Sequence, residues 1–282
     1  MARLVIGCGY LGGRVARRWL EQGDAVFALT RSEKQAAELA RGGLRPIVAD
    51  ITRPETLGGL PEAETVLYAV GYDRHGGQSR QSVQIEGLRA VLDALSGSPE
   101  RFLYISSTSV YGDSHGQWID EQSPCRPRRE AGRVQLSAEQ LLAAHPLFSR
   151  TIVLRLAGIY GPGRIPRLAD LVGGKPIPIS RSGHLNLIHV DDAASVILAA
   201  ERLAVPPRVY VVSDGHPTTR RAFYEYLADL RGLGAPAFTE PLPGTDDALR
   251  GTADKRVNNA RMLAELGIQL AYPSYREGLA AI

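Results

Sequence analysis

The stretch that decides the fold lies within the first twelve residues and reads Gly7-Cys8-Gly9-Tyr10-Leu11-Gly12. It fits the pattern G-x-G-x-x-G, follows an apolar run that ends at Ile6, and leads into a helical pattern. In this setting the first glycine permits a tight turn, and the second lets the backbone approach a pyrophosphate. The third lets the helix pack closely on the strand. The stretch therefore predicts a dinucleotide site at the positive end of the helix, formed by Gly7, Gly9, Tyr10, Leu11 and Gly12.

Short apolar runs alternate with helical patterns through the first half of the chain. The strands are predicted at 3–6, 25–29, 44–48, 65–69, 101–105 and 151–154, and the helices at 11–22, 32–40, 82–95 and 134–144. This alternation specifies a parallel sheet that is covered by helices on both faces. Because such crossovers are right-handed, we predict an α/β fold with a doubly wound parallel Rossmann sheet.

Glycine and proline become frequent after about residue 155, which indicates loops and small elements. Helices are still predicted at 191–202 and 220–231, with a strand at 208–212 between them. We therefore expect an NAD(P)-binding Rossmann domain over 1–155. A smaller C-terminal α/β substrate lobe is expected over 156–282, with some of its segments returning to the Rossmann sheet.

The end of the second predicted strand bears on the choice of cofactor. NAD enzymes usually place a carboxylate there to hold the ribose 2′-hydroxyl, whereas this chain has Arg31 and Ser32. The guanidinium of Arg31 can bind a 2′-phosphate bidentately, and Ser32 can donate a hydrogen bond to it. We therefore predict NADP(H) as the cofactor, with NAD as the second choice. Further contacts are expected from residues at or just after the ends of the third and fourth strands: Asp50, Ile51, Ala69, Val70 and Gly71.

Several stretches resemble those of the extended short-chain dehydrogenase/reductases, the NAD-dependent epimerase/dehydratase group. They are Val66–Gly71, Tyr104–Gly112, Arg155–Gly163, Leu187–Asp192, Tyr210–Gly215, Asn258-Asn259 and Tyr272–Gly278. The resemblance covers nearly the whole chain and implies a Rossmann cofactor domain with a smaller substrate lobe. It also implies that Ser107 occupies the position of the serine that polarises the substrate oxygen.

The same resemblance requires a Tyr-x-x-x-Lys pair, which this chain does not match. If Glu139 is aligned with the acidic residue that follows the pair, Gln135 falls at the lysine position and Ala131 at the tyrosine position. The stretch 130–136 contains neither tyrosine nor lysine. Neither alanine nor glutamine can donate the proton, and Arg133 could supply a charge but not a proton. We therefore interpret the chain as an atypical member of this group.

Three other groups are candidate proton donors. Tyr111 stands four residues after Ser107, and Tyr72 and His75 follow the fourth predicted strand. We place Ser107 and Tyr111 in the catalytic site, and expect Tyr111 to keep a pKa near ~10 in the absence of a neighbouring lysine.

Composition excludes several other classes of protein. The 33 basic and 30 acidic side chains give a net charge of +3 without a long run of either sign, so neither a nucleic-acid partner nor a membrane partner is expected. The two cysteines, Cys8 and Cys125, suggest neither a disulfide framework nor a metal site, and we expect a cytoplasmic location. The apolar face of the predicted helix at 82–95 favours a homodimer.

Two functions follow as hypotheses. The first is an NADP(H)-dependent oxidoreductase or epimerase-like enzyme that acts on a small polar substrate, with nucleotide sugars as one candidate class. The alternative is a non-catalytic NADP(H)-binding sensor or partner subunit, which the unmatched Tyr-x-x-x-Lys pair favours. The glycine stretch and Ser107 fit both hypotheses.

Overall fold

A computed structural model of the chain describes residues 1–95, 97–180, 183–242, 244–245, 248 and 253–282. The strands are β1 (Ala2–Ile6), β2 (Ala25–Thr30), β3 (Arg45–Val48), β4 (Thr65–Tyr68), β5 (Arg101–Ser107), β6 (Trp118–Ile119), β7 (Thr151–Leu156), β8 (Gly158–Tyr160), β9 (Ile177–Pro178), β10 (His184–Leu185), β11 (Leu187–His189), β12 (Arg208–Val212), β13 (Thr218–Thr219), β14 (Phe238–Thr239) and β15 (Arg256–Val257). Seven of them form the central sheet, in the order β12-β7-β5-β4-β1-β2-β3. The predicted doubly wound parallel sheet is thereby confirmed.

The helices are α1 (Gly12–Glu21), α2 (Glu33–Arg41), α3 (Gly87–Ala94), α4 (Glu130–Ala143), α5 (Leu168–Val172), α6 (Val190–Leu203), α7 (Arg220–Leu230), α8 (Ala260–Leu266) and α9 (Tyr275–Ala280). The helices predicted from the apolar periodicity are present within a few residues of their expected ends. One of them differs in kind, because its first part, Ser82–Glu86, is a π-helix that runs directly into α3. A π-helix changes the direction in which the following side chains point, and the apolar periodicity of the sequence does not reveal this change.

The strand order explains where the predicted cofactor residues lie. The chain leaves β1 toward β2 and β3, then returns to β4 on the other side of β1, so the winding reverses between β1 and β4. Ile6 and Tyr68 are partners in the parallel register of these two strands. Their carboxyl ends therefore lie side by side, and such a switch point is where open α/β sheets bind ligands.

The described residues divide into two compact units. The first consists of Met1–Ser106, Val134–Leu154 and Ala194–Val209. Its core contains buried aliphatic residues such as Leu4 and Val66 from the sheet and Leu88 from α3. It also buries a carboxylate, because Glu201 accepts hydrogen bonds from Trp19 Nε1 at 2.7 Å and Thr65 Oγ1 at 2.8 Å, and pairs with Arg3 at 2.8 Å.

The second unit consists of Ser107–Arg133, Arg155–Ala193 and Tyr210–Ile282. Its core is built around aromatic residues such as Tyr160 and Phe223, and its strands form short pairs, of which β11 is fully buried. Gly278 of α9 lies directly against the Tyr160 hydroxyl, and any side chain there would overlap it. The predicted division at residue 155 concerns cofactor and substrate binding, and it stays a prediction.

Within the described ranges, no helix has both the length and the apolar character needed to cross a bilayer. In the same ranges, histidine, cysteine and acidic side chains form no group of three or more that could hold a metal ion.

Candidate functional site

The glycine turn after β1 is packed tightly at two of its glycines and open at the third. Gly7 has a φ of +93°, and a Cβ added there would lie 2.5 Å from the carbonyl oxygen of Ala69. A Cβ on Gly12 would overlap the Gly7 carbonyl oxygen, whereas one on Gly9 would meet nothing within 4 Å. Gly7 and Gly12 are therefore needed for folding of the turn, and Gly9 leaves bare backbone facing open space, as a bound pyrophosphate requires.

The start of α1 has the electrostatic character of an anion site. Leu11 stands at the N-cap, where its apolar side chain caps nothing, and the first turn carries no acidic residue. The positive end of the helix dipole therefore favours a negative ligand there. Arg14 adds a positive charge beside the turn, because its guanidinium lies 4.3 Å from the centre of the Tyr10 ring and donates to the Tyr10 carbonyl at 2.7 Å. The residues present thus fit a dinucleotide phosphate.

The residues that follow β2 are placed as the sequence predicts. Arg31 and Ser32 come directly after Thr30, the last residue of the strand, and both are exposed. Ser32 is the N-cap of α2, and its Oγ accepts from the Gln35 amide at 3.3 Å. An oxygen that accepts in this way can still donate its own hydrogen to a ligand.

Asp50 and Ile51 lie just after β3, with different orientations. Asp50 Oδ1 accepts from both the backbone and the hydroxyl of Thr52, at 2.9 and 2.8 Å, so half of this carboxylate is used within the turn. The Ile51 side chain is buried and packs on Gly87 of α3. A ligand contact from Ile51 would therefore have to come from its backbone.

The segment after β4 begins beside the glycine turn. The Ala69 amide donates to the Ile6 carbonyl at 2.8 Å, and Gly71 is exposed. Farther along this segment, Tyr72 donates its hydroxyl hydrogen to the Gln78 carbonyl at 3.1 Å, and His75 is exposed. The described contacts leave the proposed acid roles of Tyr72 and His75 untested.

Ser107 and Tyr111 frame a 3₁₀ turn in the second unit. Ser107 is the last residue of β5, and its Oγ accepts from the Ser109 amide at 3.1 Å. Tyr111 is buried, and its hydroxyl accepts from Arg155 Nη1 at 2.8 Å. Burial raises the pKa of Tyr111 far above its usual value, despite the nearby guanidinium. The expectation of a pKa near ~10 is therefore wrong, because it treated Tyr111 as a solvated phenol.

Gln135, which the alignment places at the family's lysine position, is buried in α4. Its Nε2 donates to the Tyr104 hydroxyl at 2.7 Å, and its Oε1 accepts from Gln84 at 3.3 Å. Four residues later Glu139 accepts from the Ser106 hydroxyl, so α4 is joined to β5 by two polar contacts. Gln135 and Glu139 therefore fasten α4 to the sheet, and the assignment of Gln135 to the lysine position stays a prediction.

A cluster of titratable side chains in the second unit escaped the sequence analysis. His184 Nδ1 lies 2.8 Å from Asp254 Oδ1, and the same oxygen accepts from the His184 amide at 2.9 Å. Lys255 donates to the Gly112 carbonyl at 3.1 Å, one residue beyond Tyr111. These residues are far apart in the sequence and fit no short motif, so only the tertiary fold reveals the cluster.

The family model for NAD-dependent epimerases and dehydratases matches residues 3–213. The chain belongs to this family. The resemblance to the extended short-chain dehydrogenase/reductases seen in the sequence is thereby confirmed. The matched residues include the glycine turn, the central sheet and most of the segments quoted above. Membership in the family does not by itself decide which cofactor is preferred or which substrate is used.

The chain is similar to several known members and structures. Protein YeeZ of Escherichia coli K12 is 29% identical over 278 residues, with 95% of each chain covered. A structure from Methylobacillus flagellatus, provisionally identified as an NAD-dependent epimerase/dehydratase, is 36% identical, with a TM-score of 0.78 over 99% of this chain and 96% of that chain. The UDP-glucose 4-epimerase of Thermotoga maritima shares the fold, with a TM-score of 0.83, 20% identity and coverage of 99% and 96%.

Proposed function

We propose that this protein is an NADP(H)-dependent oxidoreductase or epimerase-like enzyme that acts on a small polar substrate, with nucleotide sugars as one candidate class. The observation that carries the proposal is the glycine turn, closed at Gly7 and Gly12 and open at Gly9 before an uncapped helix. Membership in a family defined by NAD-dependent epimerases and dehydratases supports a nicotinamide cofactor. Substrates that relatives are named for, such as UDP-glucose, support the class of substrate by analogy.

Cofactor preference rests on the residues after β2. Arg31 is exposed and, among the described residues, has no carboxylate partner, so its guanidinium is available to a 2′-phosphate. A carboxylate at this place would repel that phosphate, and the chain has none between Ala28 and Ser32. These features support NADP(H) over NAD(H).

The proposed chemistry divides between the cofactor and the chain. When bound, the nicotinamide ring supplies or accepts a hydride. The Ser107 hydroxyl polarises the substrate oxygen by donating a hydrogen bond, and it can do so while its Oγ accepts from the Ser109 amide. The backbone around Gly9 and the start of α1 hold the pyrophosphate.

The alternative is a non-catalytic NADP(H)-binding sensor or partner subunit. The residue that the alignment predicts at the lysine position, Gln135, favours this alternative. Its buried side-chain amide donates a hydrogen bond to Tyr104 and cannot transfer a proton.

A binding and turnover experiment separates the two functions. Purified protein is titrated calorimetrically with NADPH and NADH, then incubated with NADPH or NADP⁺ and a panel of carbonyl compounds and sugar nucleotides, with products identified by NMR. We expect NADPH to bind more tightly and at least one substrate to turn over. Ser107→Ala should lower that turnover by roughly 10²-fold. Ser109→Ala, in the same turn, serves as the matched control and should have little effect. Tight NADPH binding without turnover of any compound would favour the sensor.

A further inference from the structure

The second unit buries a carboxyl group that uses only half of its hydrogen-bonding capacity. Asp214 lies two residues after β12 and is 4% exposed. Its backbone amide donates to the Leu187 carbonyl at 2.7 Å, and its Oδ1 accepts from the His216 amide at 2.9 Å. Oδ2 is buried and has no hydrogen-bond partner among the described residues. A negative charge on this group is therefore far more costly than a neutral carboxyl, because nothing replaces the water lost on burial.

The groups around Asp214 add to the effect of its burial. Burial is the largest cause and raises the pKa of Asp214 to about 7, although the amide and the ring of His216 act against it. Asp192, near the start of α6, and Glu277, in α9, lie close enough to repel a charge on Asp214. Asp192 is itself buried, so two carboxyl groups face each other away from water.

One of these two carboxyl groups holds a short strap of chain. The strap, residues 271–274, contains neither helix nor strand and leads into α9. Asp192 Oδ1 accepts from the Ala271 amide at 2.8 Å, and its Oδ2 accepts from the Tyr272 amide at 2.9 Å. Both oxygens of Asp192 therefore bind the beginning of the strap.

Tyr160 of β8 fastens the other end of the strap. Its hydroxyl donates to the Ser274 carbonyl at 3.2 Å and lies against the bare backbone of Gly278. Burial, followed by repulsion from carboxylates of which Asp214 acts most strongly, raises the pKa of Tyr160, so the phenol stays neutral. His189 of β11 packs edge-on against the same ring, with 5.3 Å between the ring centres. Both ends of the strap are thus attached to groups within electrostatic reach of Asp214.

This arrangement couples the position of the strap to the charge on Asp214. With the strap in place, an ionised Asp214 would keep its charge in a buried site beside Asp192. Displacement of the strap would admit water, which solvates the free oxygen and screens the repulsion between the two carboxylates. A segment without regular secondary structure is also the part of a unit that opens at the lowest cost.

We propose that Asp214 is a pH-sensitive latch for the strap, which is closed while the Asp214 carboxyl is neutral and opens when that carboxyl is ionised. The O–H bond of the carboxyl is the only bond that breaks, and its proton passes to solvent. The latch goes beyond the proposed function and does not depend on it, since it requires neither cofactor nor substrate.

The direction of the pH effect follows from where the proton is bound. The closed form holds a proton that the open form releases, so rising pH favours opening. One proton changes the equilibrium constant for opening by at most tenfold per pH unit. The change begins near pH ~4, where an exposed aspartate titrates, and ends near pH 7, where the closed form also loses its proton.

Hydrogen exchange followed by NMR measures the opening directly. The Ala271 and Tyr272 amides are bonded to Asp192 in the closed form and free to exchange in the open form. Rates measured from about pH 5 to pH 8.5, divided by the intrinsic exchange rates, give the equilibrium constant for opening. We expect this constant to rise by up to about tenfold per pH unit between pH 5 and pH 7, and to level off above about pH 8. A constant that is the same at pH 5 and pH 7 would overturn the proposal.

An amide elsewhere in the same unit shows whether the opening is local. The Val257 amide, in β15, donates to Asn186 Oδ1 at 2.8 Å, and the Val257 side chain is fully buried. Global unfolding frees Val257 and the strap alike, whereas the latch frees the strap alone. At about pH 7.5 we expect the opening constant of the strap to exceed that of Val257 by at least about tenfold. Equal constants at every pH would mean that the strap opens only when the unit unfolds, and the latch would be refuted.

Three substitutions identify the group that titrates. Asp214→Asn removes the ionisable group and should make the opening constant independent of pH between about pH 5 and pH 7. His216→Gln keeps the backbone amide that binds Asp214, so the pH dependence should remain. Asp170→Asn is the matched control in the same unit, because this carboxylate is 31% exposed and pairs with Arg167 at 3.4 Å; it too should leave the dependence intact. A dependence that survives in Asp214→Asn, or that disappears in His216→Gln, would assign the titration to another group and reject the latch.

A titration of the wild-type protein needs no variant to fold. Carboxyl ¹³C shifts of ¹³C-aspartate-labelled protein report the ionisation of each assigned aspartate. We expect the Asp214 carboxyl to titrate near pH 7, together with the change in hydrogen exchange of the strap. An Asp214 carboxyl that titrates near pH ~4, as an exposed aspartate does, would overturn the proposal.

Discussion

The open position at Gly9 leads to a substitution that separates ligand binding from folding. Gly9→Ala adds a methyl group where the structure has nothing within 4 Å, and φ at Gly9 is not in the left-handed region. The folded state therefore accommodates alanine without a clash or backbone strain. Because alanine also restricts the unfolded chain, we expect stability to be unchanged or raised by up to about 1 kcal/mol.

Binding should respond in the opposite direction. The methyl group would occupy the space in which the pyrophosphate approaches the turn, and would move the phosphate away from the N–H groups at the start of α1. A hydrogen bond to a charged group is worth about 1.5–3 kcal/mol. Loss of one such bond weakens affinity by about 10- to 100-fold. Gly9→Ala should therefore raise the Kd for NADPH by that factor.

The assay pairs titration calorimetry with thermal unfolding. Gly12→Ala is the contrasting variant, because its Cβ would overlap the Gly7 carbonyl oxygen and lie 3.2 Å from Val5 Cγ1. Overpacking of this kind costs about 1–3 kcal/mol, or about 2–10 °C in Tm. Gly59→Ala, also in open space, is the control for both readouts. A folded Gly9→Ala protein that binds NADPH as tightly as the wild type would refute the assignment of the site.

Four further predictions concern other parts of the molecule. Arg31→Asp should weaken NADPH binding by about 1.5–3 kcal/mol with little effect on NADH, and equal calorimetric affinity of the wild type for both cofactors would contradict this. Tyr111→Phe removes the acceptor of an Arg155 hydrogen bond. We expect the free energy of unfolding in urea to fall by about 1.5–3 kcal/mol, and kcat to stay within a few-fold of the wild-type value. A loss of kcat equal to that of Ser107→Ala would instead make Tyr111 the acid. Burial raises the pKa of Asp214 to about 7, so the native state binds more protons than the unfolded state and stability falls as pH rises toward neutrality. Asp214→Asn should flatten that slope between about pH 4 and pH 7 in denaturant titrations, because the carboxyl is ionised in both states above that range, and an unchanged slope would assign it to other groups. A homodimer stays a prediction, and a single sedimenting species near 30.5 kDa would contradict it.

Local sequence features predicted the first half of the fold well. The run that ends at Ile6, the glycine turn and the alternation of strands and helices each follow from short-range rules of backbone geometry and apolar periodicity. The placement of Arg31 and Ser32 followed in the same way, because the end of a predicted strand can be counted along the chain. The π-helix at Ser82–Glu86 was not predictable, since its side-chain pattern also suits an ordinary α-helix.

The sequence by itself determined the Rossmann fold, the glycine turn and the family, because each is carried by short motifs whose residues are close together in the chain. Only the tertiary structure showed that Tyr111 is buried, and this burial raises its pKa above the range of a solvated phenol despite the hydrogen bond from Arg155. Only the tertiary structure paired His184 with Asp254, 70 residues away in the chain. Burial and long-range pairing depend on how separate segments pack, and hydrogen bonds between such segments leave no periodic pattern in the sequence.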